Sequence, residues 1–441
     1  MNQVGRILLV ADDAGDQRRL SARLEDVGYG VLTADGGAQA LERARDGSPD
    51  IVMLKTPFRD GGETPLIKEL KAAPEISHIP LVIIGDGISP ERRRAYLEQD
   101  VDDVLGGTPD GTELVHRLKP MVRFATMQSE LRLRLDTATT FGIDVAPPPR
   151  PGAGDGRYRV LVVGGGERPL KDIEAVLEGS YGLEVVTDPF KAEKLLGGGD
   201  FDAVIVSLES GTAADYLYLC AQVRKNPALF NLPVLVISDP ECLKEPAEAY
   251  SKGASIVHLR PVGASDLDAS IMTLVKRQRA RRDIREALLA TLGDETCDAS
   301  AGLYSTALLR AHLDQLIRAS EGGRKALSVA LFKIRNMAGL RKEFGDEAAD
   351  GLFAEVASWL ARLVRVEDLA ARYEDGFCVT FPHTSIEDTK TPMNRIMWIL
   401  THTEFGIADQ PVGLWVMAGR AALEPGDDAD QLIARAGRHM D

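Results

Sequence analysis

The stretch Arg6-Ile-Leu-Leu-Val-Ala11 decides the fold, because it is a short continuous apolar run followed by acidic residues and then by apolar residues at helical spacing. A run of this kind is typical of a buried parallel strand that leads into a helix. Four more strand-like runs follow, with helix-like segments between them, at residues 31–33, 51–54, 81–84 and 101–105. This order predicts a five-stranded, doubly wound α/β domain.

The same order of runs returns roughly 150 residues later in the chain. Arg159-Val-Leu-Val-Val163 repeats the first strand, residues 201–206 repeat 49–54, and residues 231–239 repeat 78–86. A repeat of this length indicates the duplication of a whole domain. We therefore expect two tandem doubly wound domains.

Composition and charge limit the classes of partner. The chain has 441 residues, and 52 basic against 67 acidic side chains give a net charge of −15. This balance argues against a general affinity for nucleic acids or anionic membranes. The four cysteines lie far apart, and no apolar run is as long as a membrane span, so we expect reduced thiols and a cytoplasmic protein without membrane insertion.

Composition shifts also predict the domain limits. Two domains at 1–124 and 157–280 are separated by a helical and Pro/Gly linker at 125–156, and a connecting helix at 281–297 leads to a third domain at 298–441. The run 274–289 contains many arginines at the surface positions of this helix. It is either a nucleic-acid surface or the solvated face of an interdomain helix, and the acidic total favours the solvated face.

A different pattern marks the third domain, in Arg365-Val-Glu-Asp-Leu-Ala-Ala-Arg-Tyr-Glu-Asp-Gly-Phe377. Apolar runs on both sides predict two strands joined by a tight turn at residues 374–376. The stretch resembles the signature of GGDEF domains (diguanylate cyclases), R-x-x-D-x-x-x-R-Y-G-G-D-E-F. Arg365 and Asp368 match the R-x-x-D part, whereas only three residues stand between Tyr373 and Phe377 where the family has four.

The resemblance implies that the catalytic positions are degenerate. The family's strand before the hairpin ends in D-x-D, whose first acid holds a metal, and these positions are Lys333 and Arg335 here. Glu374 and Asp375 are either surviving metal ligands or ion-pair partners of these two cations, and the nearby positive charge favours ion pairs. We therefore expect a pseudoenzyme that is not a diguanylate cyclase, holds no metal and requires no cofactor.

The resemblance also implies a regulatory ligand, cyclic di-GMP, bound by Arg365, Asp368 and Arg395. A carboxylate accepts hydrogen bonds from guanine N1 and N2, and guanidinium groups suit phosphates and the O6/N7 edge of guanine. A lone R-x-x-D occurs in many helices by chance. Its place just before the hairpin, with Arg395 at a third family position, makes the prediction more specific.

The duplicated domains resemble response-regulator receiver domains over residues 4–124 and 157–280. A receiver accepts a phosphoryl group on an Asp at the end of its third strand, and that position is Lys55 in the first copy and Ser207 in the second. An ammonium group cannot form an acyl phosphate, so the resemblance implies degenerate phosphoacceptor positions in both copies. We expect Lys55 to form a salt bridge with Asp12 or Asp13 in place of the metal.

In the second copy, Gly164-Gly-Gly166 replaces the acids that hold the metal, and Ser238 and Arg260 occupy the switch and lysine positions of the family. The glycines could form a phosphate cradle, but the spacing of a phosphate-binding loop is missing. The favoured interpretation is that they allow close packing where the acids would stand.

The order receiver–receiver–GGDEF resembles that of PleD-like response regulators, whose receivers act as dimerisation adaptors. This implies a homodimer through the receiver domains. The function that we predict is a non-catalytic cyclic di-GMP receptor and signalling adaptor of two-component and cyclic di-GMP networks, acting through protein partners. The alternatives are a nucleotide-independent dimeric scaffold and a weak diguanylate cyclase.

Overall fold

Among the described residues, the fold consists of two five-stranded parallel sheets, one six-stranded mixed sheet and one two-stranded sheet. The computed structural model describes residues 4–58, 61–107, 109–148, 157–226, 228–243, 245–320, 325–408, 410–438 and 440. Residues 149–156 of the predicted Pro/Gly linker lie outside the described residues. By its contacts the chain divides into two units, residues 1–125 with 149–282 and residues 126–148 with 283–441.

The first sheet belongs to the N-terminal receiver domain. Its elements are β1 (Gly5–Val10), α1 (Ala14–Asp26), β2 (Tyr29–Ala34), α2 (Gly37–Gly47), β3 (Ile51–Thr56), α3 (Glu63–Ala72), β4 (Leu81–Gly85), α4 (Pro90–Leu97), β5 (Asp103–Gly106) and α5 (Gly111–Thr140). The strands are parallel in the order β2-β1-β3-β4-β5. Every residue of β3 is buried, because helices cover both faces of a doubly wound sheet.

The second sheet repeats this topology. Its elements are β6 (Arg159–Gly164), α6 (Glu167–Leu177), β7 (Gly182–Val186), α7 (Pro189–Gly198), β8 (Ala203–Leu208), α8 (Ala213–Lys225), β9 (Val234–Ser238), α9 (Pro246–Ser251), β10 (Ile256–Leu259) and α10 (Ala264–Ala290). The parallel order is β7-β6-β8-β9-β10. The predicted duplication of a doubly wound α/β domain is confirmed.

Most arginines of α10 are half-buried and do not form a solvated face, although Arg285 is exposed, and this corrects the expectation for the run 274–289. Arg279 and Arg282 bind the buried carboxylate of Asp202 at 3.4 Å and 2.9 Å. Arg281 Nη1 donates to the Asn231 carbonyl oxygen at 3.2 Å. These side chains bind α10 to the rest of the second receiver domain. The local sequence pattern does not reveal these contacts, because the partners lie far apart in sequence.

Within the first unit, the two receiver domains contact each other through α4 and α5 of the first. Arg93 Nε lies 3.5 Å from Asp266 Oδ1 on α10. The ring of His116 on α5 stacks on Tyr250 of α9, with 5.7 Å between ring centroids. The α4 and α5 side of the first receiver is therefore in use within the chain.

A buried histidine lies beside this contact. His258 Nε2 is 2.8 Å from Ser270 Oγ. Burial, and then the positive charges of Arg117 and Arg93, lower the pKa of His258 from 6.5 to about 4. The folded state therefore favours the neutral imidazole.

The third sheet lies in the second unit. Its elements are β11 (Cys297–Asp298), β12 (Leu303–Tyr304), α11 (Thr306–Ser320), β13 (Leu327–Ile334), α12 (Met337–Phe344), α13 (Asp346–Leu363), β14 (Leu369–Tyr373), β15 (Gly376–Pro382), α14 (Lys390–His402), β16 (Phe405–Ile407), β17 (Gln410–Val412), β18 (Val416–Ala422) and α15 (Ala429–Arg438). The order is β11-β12-β14-β15-β13-β18, and β16 pairs with β17. The C-terminal part of α5 contributes Leu133 to one core of this unit.

The long helices α5 and α10 each continue past a predicted domain limit, at residues 124 and 280. Among the described residues, each helix is either too short or too polar to cross a lipid bilayer.

Candidate functional site

The C-terminal end of β3 in the first parallel sheet holds a buried cation. Lys55 is the penultimate residue of β3 and is only 8% exposed. Its Nζ lies 3.2 Å from Asp86 Oδ2 and 3.8 Å from Asp16 Oδ2, and it also donates to the Thr56 carbonyl oxygen at 3.1 Å. Lys55 thus forms an ion pair, as predicted. Its partners are Asp86, directly after β4, and Asp16, in the first turn of α1. This corrects the expected pairing with Asp12 or Asp13.

Asp13 instead caps the N-terminus of α1. Its Oδ1 accepts hydrogen bonds from the amides of Gly15 and Asp16, at 2.8 Å and 2.9 Å. An N-cap aspartate satisfies amides that have no partner within the helix. This local role explains why its carboxylate is directed toward the helix end.

In the second receiver, the predicted positions come together around an arginine. Arg260 Nη2 donates to Ser207 Oγ at 2.6 Å, and Nη1 lies 3.5 Å from Asp239 Oδ1. Ser238 Oγ donates to the Asp239 carbonyl oxygen at 2.9 Å. The Ser207 hydroxyl is therefore held by a cation in a fully buried position.

In the second receiver, the side chain of Glu209 binds a backbone amide of the glycine run 164–166. Glu209 Oε1 accepts a hydrogen bond from the Gly166 amide at 3.0 Å. A Cβ atom at Gly166 would lie 2.3 Å from Glu209 Oε2. An acceptor already occupies this amide, which disfavours the phosphate-cradle alternative and supports the close-packing interpretation.

The hairpin of the third domain forms where the sequence predicts it. Strand β14 ends at Tyr373 and β15 begins at Gly376, and these two residues are partners in the antiparallel register. Glu374 in the turn has a positive φ of 50°. A Cβ atom at Gly376 would lie 2.0 Å from the Phe332 carbonyl oxygen on β13. Only glycine therefore fits at the start of β15.

This hairpin borders a cavity of about 280 Å³, whose lining includes Lys333, Tyr373, Glu374, Asp375 and part of α15. In the described part of the chain, neither Lys333 nor Arg335 forms an ion pair with Glu374 or Asp375. The predicted ion pairs are therefore wrong. Glu374 and Asp375 are exposed at the tip of the turn, and the side chains of Lys333 and Arg335 are exposed as well. Exposed charges gain little free energy from direct pairing.

The residues around this cavity do not fit a divalent metal. Glu374 and Asp375 supply two carboxylates, but the ammonium of Lys333 lines the same cavity. Among the described residues, no group of three or more His, Cys, Asp or Glu side chains is arranged to hold a metal ion.

The R-x-x-D residues form a turn between α13 and β14. The Asp368 amide donates to the Arg365 carbonyl oxygen at 3.1 Å, and the Arg365 amide donates to Asp368 Oδ2 at 3.3 Å. Asp368 is 6% exposed, whereas the Arg365 side chain is exposed. The carboxylate thus helps to hold the turn that presents the arginine.

Arg395 lies beside this turn although it is 30 residues away in sequence. It is exposed on α14, and its Nη2 donates to the carbonyl oxygen of Leu363 at 2.6 Å. Leu363 is the last residue of α13, two residues before Arg365. Two guanidinium groups and one carboxylate therefore belong to one corner of the domain.

Sequence reasoning missed two polar contacts near these residues. Arg372 Nη1 on β14 donates to Asp298 Oδ1 on β11 at 3.2 Å. Partial burial raises the pKa of Asp298, but hydrogen bonds from Ser300 and Arg372 outweigh it and lower the pKa overall. The second contact is that of Arg134 on α5 with the R-x-x-D turn itself. No sequence pattern connects Arg134 with a turn more than 230 residues later.

Several known proteins are similar to this chain. The family model "Diguanylate cyclase, GGDEF domain" matches residues 295–441. The response regulator PleD of Caulobacter vibrioides is 30% identical over 98% of this chain and 95% of its own length. An uncharacterised 76.5 kDa protein of Thiocystis violacea is 23% identical over 98% of this chain and 58% of its own. The GGDEF domain of DgcB from Caulobacter crescentus, solved in complex with c-di-GMP, is 22% identical, with a TM-score of 0.32 over 33% of this chain and 88% of its own.

The chain belongs to the PleD-like response regulators that carry a GGDEF domain. Membership in this family associates the chain with cyclic di-GMP signalling.

The comparisons contradict one prediction, that the chain is not an enzyme. The matching family model is that of diguanylate cyclases, and the similarity to PleD extends over nearly the whole chain. The prediction relied on single positions such as Lys333 and Arg335, and these do not outweigh a match of the complete domain arrangement.

Proposed function

We propose that the third domain binds cyclic di-GMP at Arg365, Asp368 and Arg395, and that the chain senses the dinucleotide in this way. The observation that carries the proposal is the 2.6 Å hydrogen bond from Arg395 to the Leu363 carbonyl oxygen. It holds a second exposed guanidinium beside the turn that presents Arg365.

The chemistry of this corner suits a guanine dinucleotide. Cyclic di-GMP offers phosphodiester oxygens and guanine O6/N7 edges, both of which accept bidentate hydrogen bonds from a guanidinium group. A carboxylate accepts from guanine N1 and N2, which gives Asp368 a role in base selection in addition to its role in the turn. Because the chain has a net charge of −15, an anionic ligand needs a local arginine pair of this kind.

The test is isothermal titration of the full chain with cyclic di-GMP. We expect Arg365→Ala to weaken binding by about 2 kcal/mol, or roughly 30-fold in Kd, because charge-assisted hydrogen bonds are lost. Asp368→Asn should also weaken binding, since the amide places a donor where guanine already donates.

Arg362→Ala is the matched control. Arg362 is exposed on the last turn of α13 and donates only to Ser358 Oγ, at 3.3 Å. It should bind as the wild type does. No binding heat with the wild type, or equal affinity for Arg365→Ala, would exclude this site and leave the nucleotide-independent scaffold as the better account.

The second candidate function is the family's own activity, diguanylate cyclase. It is favoured by the family model that matches residues 295–441. The test is conversion of GTP to cyclic di-GMP in the presence of Mg²⁺, followed by chromatography. Product above a no-protein blank that disappears in the double variant Glu374→Gln/Asp375→Asn, but not in Arg362→Ala, would establish it. Product equal to the blank would exclude it.

We also propose that the chain forms a homodimer through its receiver domains and acts through protein partners. The contacts of Arg93 and His116 occupy the α4 and α5 side of the first receiver within one chain. Because these contacts occupy part of that side, we expect the dimer interface to use another surface of the two receiver domains. Light scattering should give twice the chain mass of 47.7 kDa, and a monomer mass at micromolar concentration would contradict the proposal.

A further inference from the structure

A buried charged cluster lies behind the R-x-x-D turn, in the second unit. Glu130 and Arg134, one turn apart on α5, are 1% and 2% exposed. Glu130 Oε1 accepts from Arg134 Nε at 2.8 Å and Nη2 at 2.6 Å. The same oxygen is 2.8 Å from His312 Nε2 on α11. Burying such charges is costly unless they are paired, so the cluster forms only when these groups meet.

Side chains of α5 enclose the ring of His312 on two sides. Thr137 Oγ1 donates to the Leu133 carbonyl oxygen at 2.8 Å and lies 3.1 Å from His312 Nδ1. Each ring nitrogen of His312 thus lies within hydrogen-bonding distance of a side-chain oxygen on α5. Burial raises the pKa of Glu130, but His312 and Arg134 outweigh it and lower that pKa to about 2.

Arg134 uses its remaining donors on the turn. Nη1 donates to the carbonyl oxygen of Val366 and Nη2 to that of Glu367, both at 3.2 Å. These are the two residues between Arg365 and Asp368. The guanidinium of Arg134, itself buried, therefore binds both central carbonyl groups of the turn, while the Arg365 side chain is exposed.

The guanidinium group of Arg134 also packs against an aromatic ring. It lies over the ring of Tyr304, 5.5 Å from the centroid. The Tyr304 hydroxyl donates to the Leu288 carbonyl oxygen at 3.1 Å. Carboxylate, ring and carbonyl groups thus define the position of Arg134, and a rigid support of this kind is what a precise ligand site needs.

We propose that Arg134, held by Glu130, is a positioning residue for the cyclic di-GMP site, so that α5 determines the geometry in which Arg365 and Asp368 meet the ligand. Arg134 touches no ligand under this proposal and acts through the turn. The proposal rests on the proposed function, because it presupposes binding at Arg365.

The test must separate positioning from stability. Removing Arg134 alone leaves the buried carboxylate of Glu130 without its partner, which destabilises the fold. The double variant Glu130→Gln/Arg134→Met removes both charges at nearly constant volume and is expected to fold. Arg134→Lys is a second variant, which keeps the charge but lacks the planar fork that reaches two carbonyl groups at once. Arg132→Met, at an exposed position of the same helix, is the matched control.

Each variant is titrated with cyclic di-GMP as the full chain, at a temperature at which tryptophan fluorescence shows it fully folded. We expect the double variant and Arg134→Lys to bind about tenfold more weakly or worse, and Arg132→Met to bind as the wild type does. Hydrogen exchange of a peptide that covers residues 363–370 should be faster in both weakened variants, a local readout that a general loss of stability would not single out.

The outcomes distinguish the two proposals. If the wild type binds and both variants match its affinity, the positioning role is excluded and the proposed function stands. If the wild type does not bind, both fail. If the double variant does not fold, Arg134→Lys decides, and unchanged affinity in that variant overturns the positioning role.

Discussion

The substitution Gly376→Ala should strongly destabilise the third domain. An added Cβ would lie 2.0 Å from the Phe332 carbonyl oxygen and 3.2 Å from Lys333 Cα, and both are backbone atoms of β13. Ordinary carbon–oxygen contacts are about 3.3 Å or longer, so β15 would have to move by more than about 1 Å. Gly376 pairs with Lys333 in the β13–β15 ladder. Losing several of its hydrogen bonds, at about 1 kcal/mol each, predicts a cost of roughly 3 kcal/mol.

Tryptophan fluorescence during urea denaturation measures this cost selectively. The chain has three tryptophans, and Trp359, Trp398 and Trp415 all belong to the second unit. The transition therefore reports that unit without a signal from the receiver domains. The free energy of unfolding follows from linear extrapolation.

Gly339→Ala is the control for this experiment. Gly339 lies in α12, and a Cβ there would meet nothing within 4 Å. Because alanine is the better helix residue, this change should stabilise the domain by about 0.5–1 kcal/mol. A free energy of unfolding for Gly376→Ala within about 0.5 kcal/mol of the wild type would refute the packing argument.

Three further predictions concern the receiver domains. Acetyl phosphate should leave the protein mass unchanged, because ion pairs and hydrogen bonds occupy Lys55 and Ser207; a stable phosphoryl adduct that is lost on substituting either residue would contradict this. Since the pKa of His258 is lowered from 6.5 to about 4, only the unfolded state gains a proton between these values, and the free energy of unfolding should fall by up to about 1.4 kcal/mol per pH unit as pH decreases from 6.5 to 4. Above pH 6.5, His258 should not change the free energy of unfolding. Calorimetry of His258→Gln should show a weaker dependence of this free energy on pH between 4 and 6.5. An equal dependence in the variant and the wild type would refute the role of His258. Gly166→Ala should cost only about 1 kcal/mol, since the flexible Glu209 side chain can move away and one hydrogen bond is lost; a calorimetric loss as large as that of Gly376→Ala would show that the loop is more rigid than this.

The fold was predictable because its signals are local and repeated. Continuous apolar runs such as 6–11 and 159–163 carry their own strand signal, and their repetition indicated two parallel sheets. The hairpin was predictable for the same reason, since Glu374, Asp375 and Gly376 lie between two apolar runs. The prediction that the chain is not an enzyme failed because individual substitutions were weighed without the similarity of the whole chain.

The sequence by itself determined the doubly wound, five-stranded class of the two duplicated domains, the hairpin and the candidate positions Arg365, Asp368 and Arg395. Only the tertiary structure decided which groups those positions meet. Lys55 pairs with Asp86, which is 31 residues away, and Arg134 reaches Val366 across 232 residues. Periodicity and motif spacing report neighbours along one helix or strand. A long-range partner depends instead on how separate elements pack, because the cost of burying a charge is offset only where packing brings an opposite charge or a carbonyl group to it.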